Sequence, residues 1–336
     1  MVKEAKFYSK LKGDAVKCEL CPHFCVLRND GIGKCRVRKN INGKLFSLVY
    51  SRPCSIALDP IEKKPLYHFL PGKKALSIAT VGCNLRCSNC QNWEISQNTP
   101  DKIRSLEIKP EEVIKEAKKH KIKIISYTYT EPTIFYEYML DIAKLAKKAK
   151  IKNTTVTNGF INPEPLKQLV EHLDGSNIDL KSIDDEFYRR VCGARLNPVL
   201  ETIKLMHKKG VWIEITNLLI PGLNDSTEQI ERLVEWVRKE LGREVPLHFT
   251  AFYPTYKLIN LPPTNIETLR KARKIALSKG LYYIYTGNLH DNEGNNTYCP
   301  NCKNIIIKRQ GFSVIENNLK KGRCNDCHEK IAGVWS

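Results

Sequence analysis

The sequence predicts an α/β fold: a partial (β/α)6 TIM-like barrel between a small N-terminal Cys-rich segment and a C-terminal zinc ribbon. Two observations support the barrel. Short apolar runs rich in β-branched residues alternate with amphipathic helical stretches, and no Gly-x-Gly-x-x-Gly follows the first run. The second observation disfavours a doubly wound sheet, which remains the alternative. The runs predicted as strands are 75–82, 122–128, 153–158, 176–181, 211–218, 246–252 and 281–286.

The 336 residues divide by composition into three parts. We interpret residues 1–74 as a Cys-rich knuckle and a connecting loop without long regular elements. Residues 75–290 carry the alternating strands and helices, and residues 291–336 form a separate tail. The length is ample for a barrel-sized core with two small appendages. Two capping boxes are expected in the middle part, Ser226 with Gln229 and Thr264 with Glu267.

Thirteen cysteines fall mostly into three clusters of short spacing. Two others, Cys54 and Cys192, are interpreted as buried thiols. The first residues lack the apolar core of a signal peptide, and no run approaches the ~20 apolar residues that a membrane helix needs. Clustered cysteines in such a chain are typical of metal binding in a reducing compartment. We therefore expect a cytoplasmic protein without a membrane partner.

The formal net charge of +19 is high enough to attract phosphate groups. Much of it comes from lysines on the polar faces of predicted helices, such as Lys115, Lys118 and Lys144. The simpler interpretation is a solvated, lysine-rich surface. Binding of RNA or of an acidic protein remains open.

Each end of the chain carries four cysteines at spacings that can enclose a metal. The C-terminal pattern of two Cys-x-x-Cys pairs around strand-like runs predicts a zinc ribbon with a closed coordination sphere. The N-terminal pattern indicates either zinc or a second iron–sulfur cluster, with four metal-free buried thiols as the alternative. The C-terminal ligands are Cys299, Cys302, Cys324 and Cys327, and the N-terminal ones are Cys18, Cys21, Cys25 and Cys35.

The third cluster has an odd number of cysteines. Cys83, Cys87 and Cys90 follow the first predicted barrel strand at spacings of three residues and then two. Three thiolates can hold three irons of a four-iron cluster, which leaves the fourth iron without a protein ligand. An open metal position can bind a substrate directly, as it does on catalytic zinc. We therefore predict that these three cysteines are catalytic.

Polar residues occur at the carboxyl end of one predicted strand after another. The active site of an α/β barrel forms at this end, and buried polar groups are costly without partners. Each has a simpler explanation when taken singly: a turn at Asn158, an ion pair of Asp179 with Lys181, a hydrogen-bonded core position for His248. Their repetition is better explained by a polar ligand across the barrel mouth. The residues are Thr130, Glu131, Asn158, Asp179, Lys181, Asn217 and His248.

The spacing Cys83-x3-Cys87-x2-Cys90 resembles the signature of the radical S-adenosylmethionine (SAM) enzymes. Three further segments resemble the activating enzymes of glycyl-radical enzymes such as pyruvate formate-lyase: Thr157-Asn158-Gly159, Asp179-Leu180-Lys181 and Pro221-Gly222. Over nearly its whole length the chain resembles the radical SAM group of the AmmeMemoRadiSam system. The hallmarks are Cys21-Pro22-His23, the stretch from Asp59 to Gly72, Cys90-Gln91-Asn92-Trp93-Glu94, and Asn296-Thr297-Tyr298-Cys299-Pro300.

This resemblance implies a [4Fe-4S] cluster on the three cysteines, with the amino and carboxylate groups of SAM on the fourth iron. One electron from an external donor would cleave SAM to methionine and a 5′-deoxyadenosyl radical, which abstracts hydrogen from a protein substrate. By the same resemblance, the methionine amino group meets Thr130 and Glu131. The ribose and carboxylate meet Asn158, Asp179 and Lys181, and the mouth is completed by Asn217 and His248.

Two positions depart from the family pattern. The residue before the last cysteine is usually aromatic and lies near the adenine, whereas this chain has Asn89, so Trp93 is the candidate for that contact. Val156 stands where the activating enzymes often have an acid. The group's name suggests Memo-like or AMMECR-like proteins as partners. An RNA-modifying radical SAM enzyme and a non-catalytic metal-binding adaptor remain as alternatives.

Overall fold

The computed structural model describes residues 2–336, and its largest element is an eight-stranded sheet. Smaller sheets are formed by β1-β6-β5, β2-β3-β4, β15-β16-β17 and β18-β19. The strands, numbered along the chain, are β1 (Lys3–Glu4), β2 (Tyr8–Lys10), β3 (Val16–Cys18), β4 (Val26–Leu27), β5 (Arg38–Ile41), β6 (Lys44–Ser47), β7 (Pro53–Pro60), β8 (Lys74–Thr80), β9 (Ile124–Tyr127), β10 (Lys152–Thr157), β11 (Gly175–Asp179), β12 (Trp212–Leu219), β13 (Leu247–Ala251), β14 (Ile284–Gly287), β15 (Thr297–Tyr298), β16 (Ile305–Gln310), β17 (Ser313–Asn317), β18 (Leu319–Lys320) and β19 (Arg323–Cys324).

Eight α-helices and three short turns of other helix types connect the strands. None of the helices within residues 2–336 combines the length and the apolar composition that crossing a bilayer requires. The helices are α1 (Trp93–Ser96), α2 (Pro110–Lys119), α3 (Tyr136–Lys148), α4 (Pro163–Val170), α5 (Asp185–Phe187), α6 (Leu196–Lys208), α7 (Thr227–Leu241) and α8 (Ile266–Ser278), with 3-10 turns at Ile61–Lys63 and Pro132–Phe135 and a π-helix at Tyr188–Cys192.

The order of strands in the large sheet is β14-β13-β12-β11-β10-β9-β8-β7 and follows the sequence without a reversal. Strands β8 to β14 are parallel, while β7 pairs antiparallel with β8 at one edge. Right-handed crossovers between sequential parallel strands place the connecting helices on one face. This order excludes the doubly wound alternative, in which the strand order reverses. The strand order agrees with the winding of a partial barrel. Within residues 2–336 no backbone hydrogen bonds pair β14 with β7, so these two strands are the edges of the sheet.

The seven predicted strands are all present, with ends that differ from the prediction by at most three residues. The interpretation of residues 1–74 as a segment without long regular elements is wrong, because β7 spans eight residues there. Its ends are Pro53 and Pro60, and most of its side chains are only partly buried, so the apolar alternation is weak. Proline is tolerated at both ends because an edge strand leaves one row of its backbone groups without ladder partners.

One of the two predicted capping boxes is present. The Ser226 hydroxyl accepts from the Gln229 N–H at 3.2 Å, and the Gln229 side chain accepts in return from the Ser226 N–H. The prediction that Thr264 caps α8 is wrong. Asn265 takes that position and accepts from the backbone N–H three residues later at 2.8 Å, while the Thr264 hydroxyl donates to the carbonyl of Leu219 at 2.6 Å.

A loop of residues 64–70, here called the floor loop, covers the inner face of the sheet opposite the helices. The backbone N–H groups of Tyr67 and His68 donate to the Glu214 carboxylate on β12 at 3.0 and 2.7 Å. These bonds anchor the floor loop to the amino-terminal half of β12.

The tail packs against this floor loop. Val334 donates its N–H to the His68 carbonyl and accepts from the Leu70 N–H, each at 2.7 Å. Arg309 on β16 is buried, and its Nη2 donates to the carbonyl of Tyr67 at 2.7 Å. Floor loop and tail therefore form one layer on the inner side of the sheet.

Candidate active site at the carboxyl ends of the strands

The loop between β8 and α1, which carries the three clustered cysteines, is held from two sides. Gly82 has a φ of +101°, and a Cβ there would lie 2.6 Å from the carbonyl oxygen of Cys35, so only glycine fits. On the other side, two N–H groups of the loop donate to the carbonyls of Val191 and Cys192 at 2.9 Å. Those residues belong to the π-helix, a distortion that is frequent at functional sites.

The three cysteines face one cavity at the carboxyl ends of the parallel strands. Its volume is about 480 Å³, within the range of small-molecule sites. Five of the polar residues predicted at the strand ends line the same cavity, so the structure brings them together with the thiols. These residues are Thr130, Glu131, Asn158, Asp179 and Lys181.

The thiols differ in their surroundings. Burial raises the pKa of Cys83, whose Sγ accepts from the Leu85 N–H at 3.3 Å. The sulfur of Cys90 lies 3.1 Å from the Ser96 hydroxyl. The neighbouring buried Cys192 thiol, with a smaller contribution from Lys181, lowers the pKa of Cys87 below its usual value despite burial. Cys192 is therefore a buried thiol, as expected, but one that favours the thiolate form of Cys87, and the thiolate is the form that binds metal.

Lys181 is a cation in this cavity wall. Its Nζ lies 3.0 Å from the Asp179 carboxylate, and its side chain keeps 19% of its exposure. Burial acts to lower the pKa of Lys181, but Asp179 and Cys87 outweigh it and hold that pKa well above its usual value. A permanently charged ammonium here suits a carboxylate or the negative charge of a thiolate-bound cluster.

Glu131 lies in the cavity wall, and its carboxylate already accepts hydrogen bonds from other residues of the chain. Its Oε1 accepts from the Thr133 N–H and the Thr157 hydroxyl at 3.0 and 2.7 Å, and its Oε2 accepts from the Asn158 N–H at 2.8 Å. Burial raises the pKa of Glu131, and these donors oppose the rise. The carboxylate fixes the end of β10, and Oε2 keeps capacity for one further donor.

Thr130 and Asn158 form hydrogen bonds that connect neighbouring segments of the cavity wall. The Thr130 hydroxyl donates to the carbonyl of Thr80, the last residue of β8, at 2.8 Å. The Asn158 amide donates to the side-chain oxygen of Asn84 at 2.9 Å and lies 3.8 Å from the sulfur of Cys83. Asn158 therefore joins the end of β10 to the cysteine loop.

The structure does not place Asn217 or His248 in the cavity, so their prediction as ligand contacts is corrected. Side chains alternate along β12, and because Thr216 and Leu218 line the cavity, Asn217 points to the helix side. There its amide donates to a backbone carbonyl after β11 at 2.8 Å. His248 points inward but lies deeper, with Nε2 2.7 Å from the Glu214 carboxylate. It is a hydrogen-bonded core residue.

Trp93 does not supply the aromatic contact expected of it. Its ring stacks on Tyr256 with centroids 5.4 Å apart, and it is not part of the cavity wall. Asn89, Gln91 and Asn92 line the cavity instead. A polar segment therefore stands where the family pattern has an aromatic residue.

A basic group on the inner side of the cavity was not among the residues predicted from the sequence. Lys63 and Lys64 line it, and both pair with Asp59, at 3.0 and 2.7 Å. Asp59 also accepts from the Tyr129 hydroxyl. Burial acts to raise the pKa of Asp59, but these partners outweigh it and hold that pKa below its usual value. Phe312, at the tip of the β16–β17 hairpin, lines the cavity as well.

The four C-terminal cysteines form a compact group apart from the cavity. Their sulfur atoms lie within 4.8 Å of one another, with Cys299 and Cys327 3.5 Å apart and Cys302 and Cys324 3.8 Å apart. Tetrahedral coordination at ~2.3 Å puts thiolates about 3.8 Å apart, so the group fits one metal ion. The four N-terminal cysteines line a separate cavity.

Comparison with known proteins identifies the family. Residues 77–237 match the Radical SAM superfamily. The uncharacterized protein MJ0808 of Methanocaldococcus jannaschii is 48% identical over 332 residues, which cover 98% of this chain and 99% of that protein. This chain belongs to the radical SAM superfamily. The predicted superfamily is confirmed, and membership in it implies a [4Fe-4S] cluster and SAM as cofactors.

Two further proteins are similar to this chain over part of its length. The pyruvate formate-lyase-activating enzyme of Clostridium pasteurianum is 26% identical over 212 residues, or 60% of this chain and 87% of the enzyme. The structure of Streptococcus suis SuiB bound to precursor peptide SuiA has a TM-score of 0.51 at 18% identity and covers 68% of this chain and 52% of SuiB. The second likeness concerns the fold alone.

Proposed function

We propose that this radical SAM protein cleaves SAM reductively at a [4Fe-4S] cluster on Cys83, Cys87 and Cys90 and abstracts hydrogen from a protein substrate. The observation that carries the proposal is the convergence of three free thiols and five polar strand-end residues on one cavity. Within residues 2–336 no fourth cysteine lines that cavity. This donor set suits a four-iron cluster with one iron left for another ligand.

The cluster and SAM, when bound, supply a one-electron cleavage that gives methionine and a 5′-deoxyadenosyl radical. The chain's own residues bind and orient. Lys181 offers a fixed cation for the methionine carboxylate, and Glu131 keeps one acceptor position for the amino group. Asp179 is placed to accept from ribose hydroxyls. The floor loop closes the inner end of the sheet, which limits the access of water to a reactive radical.

Reductive cleavage is tested by anaerobic reconstitution followed by dithionite and SAM. We expect 5′-deoxyadenosine from the unchanged protein and none above background from Cys87→Ala, which lacks a cluster ligand. Cys54→Ser is the matched control, because Cys54 is a half-buried free thiol outside the three clusters. Equal yields from the unchanged protein and Cys87→Ala would overturn the proposal in favour of a metal-binding adaptor.

A protein substrate is supported by the similarity to pyruvate formate-lyase-activating enzymes, which are named for acting on a protein. The resemblance to the AmmeMemoRadiSam group extends the proposal to Memo-like or AMMECR-like partners. We expect the true partner to accelerate SAM cleavage, because binding energy from the substrate completes such sites. Candidate partners are added singly to the reconstituted protein, and one without effect on 5′-deoxyadenosine formation is excluded.

The net charge of +19 favours RNA as the second candidate substrate class. Binding of RNA to the basic surface would weaken steeply as salt rises, because each phosphate contact releases counterions. Titration of a labelled RNA at several salt concentrations measures this slope. Weak RNA binding that does not change with salt concentration would leave the protein substrate as the single candidate.

We also propose zinc for the compact C-terminal group, because its sulfur spacing matches tetrahedral coordination. Elemental analysis of the purified protein should give about one zinc per chain. Cys302→Ser should lower the zinc content without changing the iron content.

A further inference from the structure

The four N-terminal cysteines converge although they come from separate small strands and turns. Their side chains line one narrow cavity together with Arg38. Gly33 stands between two of the sulfurs: a Cβ there would lie 3.6 Å from the sulfur of Cys35 and 3.9 Å from that of Cys25. The Lys34 N–H faces the Cys25 sulfur at 3.5 Å. Backbone donors aimed at sulfur are typical of metal-bound thiolates.

The spacing of these sulfurs differs from that at the other end of the chain. Within residues 2–336, the C-terminal set is the one group of cysteines whose sulfurs all lie within 4.8 Å of one another. The N-terminal four surround their cavity without approaching so closely. One ion draws four thiolates together, whereas a four-iron cluster carries each thiolate on a different iron and so holds them farther apart. The wider set favours a cluster.

Arg38 provides an independent indication of the charge of the group that binds in the N-terminal cysteine cavity. Its side chain is 1% exposed, and its Nη2 donates to the Lys6 carbonyl and the Glu137 carboxylate, both at 2.7 Å. Its Nε and Nη1 have no partner in the structure. Buried donors without acceptors are costly, so an occupant with several acceptors and negative charge is expected beside them. The sulfides of a thiolate-bound iron–sulfur cluster provide both.

The cavity also touches the catalytic loop. His23, between two of the N-terminal cysteines, donates from Nε2 to the carbonyl of Asn84 at 2.7 Å. Asn84 directly follows Cys83. The carbonyl of Cys35 fills the space that a side chain on Gly82 would occupy. The two cysteine loops are thus in direct contact, with no intervening layer of protein.

We infer that Cys18, Cys21, Cys25 and Cys35 bind a second iron–sulfur cluster that exchanges single electrons with the cluster on Cys83, Cys87 and Cys90. One electron from a low-potential one-electron donor of the flavodoxin class lowers the oxidation level of the N-terminal cluster by one. Transfer of that electron to the cluster on Cys83, Cys87 and Cys90 returns the N-terminal cluster to its starting oxidation level and reduces the receiving cluster by one electron. No bond forms or breaks, and no proton moves.

The metal content tests the first half of this inference without any need for SAM cleavage. A triple variant, Cys83→Ala with Cys87→Ala and Cys90→Ala, is reconstituted anaerobically with ferrous iron and sulfide. We expect about four irons and four sulfides per chain in the triple variant, against about eight of each in the unchanged protein. Dithionite should give the triple variant the electron paramagnetic resonance signal of a reduced cluster.

Two matched variants make the result interpretable. Cys25→Ser added to the triple variant should remove the remaining iron, whereas Cys54→Ser added in its place should leave it. Iron near zero in the triple variant, with zinc in about twice molar amount, would overturn the second cluster. If the triple variant does not fold, the iron content of the unchanged protein decides, since about four irons per chain would exclude two clusters.

Electron exchange is tested with reduced flavodoxin as the donor. Stopped-flow absorbance follows reduction of the Cys83 cluster in the unchanged protein and in a variant with all four N-terminal cysteines replaced by serine. We expect the rate to fall by about tenfold or more in the variant. Reduction by dithionite, a small reagent, serves as the control and should be much less affected. Equal rates with flavodoxin would overturn the exchange while leaving the cluster itself in place.

Discussion

Two regions of the central sheet bury polar side chains: the cavity at the carboxyl ends of the strands, here called the mouth, and the inner face under the floor loop, here called the floor. Only the mouth leaves these side chains open to a ligand. At the mouth, Asp179 and Lys181 pair with each other beside a cavity and remain partly exposed. At the floor, Glu214 is fully buried and accepts from two backbone N–H groups, from Trp212 and from His248. A satisfied polar network rigidifies a core, whereas a partly satisfied one can bind a ligand.

Glu214→Gln should cause the largest loss of stability. The substitution removes the carboxylate charge and turns an N–H group toward donors, so we expect a decrease of about 3–5 kcal/mol in the free energy of unfolding. Urea denaturation measures it. Glu244→Gln, at an exposed loop position, is the control and should change stability by less than about 0.5 kcal/mol. A loss below about 1 kcal/mol for Glu214→Gln would mean that the floor does not depend on this network.

Acidification should weaken the floor through His68. This ring is buried, with Nδ1 on the Ala332 carbonyl and Nε2 on the Tyr285 hydroxyl, and burial lowers the pKa of His68 to about 4. The unfolded chain binds its proton near pH 6.5, so it holds more protons between these values. The stability that neutral His68 provides is therefore present above about pH 6.5 and lost as pH falls toward 4, on the order of 3 kcal/mol.

The free energy of unfolding between pH 7 and 4 checks this dependence. In His68→Asn the curve should be flatter than in the unchanged protein over that range. His120→Asn is the control, because the exposed His120 pairs only with Glu116 on the surface. Equally steep curves for the unchanged protein and His68→Asn would contradict the assignment.

At the mouth, Lys181→Met should lower the affinity for SAM more than it lowers stability. Loss of one charge-assisted hydrogen bond to a carboxylate costs about 1.5–3 kcal/mol, which is about a 10–150-fold rise in Kd. Isothermal titration of the reconstituted protein with SAM measures it. Lys152→Met is the matched control, because Lys152 forms a half-exposed pair with Asp174 at 2.9 Å at the opposite end of the sheet. An equal rise in Kd for Lys181→Met and Lys152→Met would contradict the distinction between the mouth and the rest of the sheet.

Asn217→Ala should have the smallest effect and only on stability. The residue lies on the helix side, where its amide satisfies a buried carbonyl, so we expect a loss of about 1–2 kcal/mol. The Kd for SAM should stay unchanged in the same titration. A tenfold weaker Kd would restore Asn217 as a ligand contact.

The strands were predictable because each one in the parallel part is buried on both faces and reads as a β-rich apolar run. The edge strand β7 was not, since its prolines and half-exposed side chains weaken that signal. The polar strand ends were also visible in the sequence. Their separation into ligand contacts and core residues depends on the direction of each side chain. Side chains along a strand alternate between its two faces. This alternation alone places Asn217 of β12 on the face opposite Thr216 and Leu218.

Other parts of the site depend on contacts between distant residues and have no local pattern. Lys64 is held at the cavity by Asp59, whose carboxylate also accepts from Ser77 and Tyr129, and these three partners come from different parts of the chain. Both four-cysteine sets begin with a Cys-x-x-Cys pair, and either spacing can enclose a metal. Only the positions of their sulfurs in the fold separate a compact group from a wider one.

The floor of the sheet closes only with residues that are synthesised late. His68 meets Ala332 across 264 residues of chain. At roughly 5–20 residues per second, about 13–53 s pass on the ribosome between the synthesis of these two residues. Throughout that interval the inner face of the sheet has no cover from the tail, although all three cysteines of the catalytic loop are made near its beginning. Chains that stop before residue 332 should therefore expose this face and be cleaved by proteases more readily than the full chain.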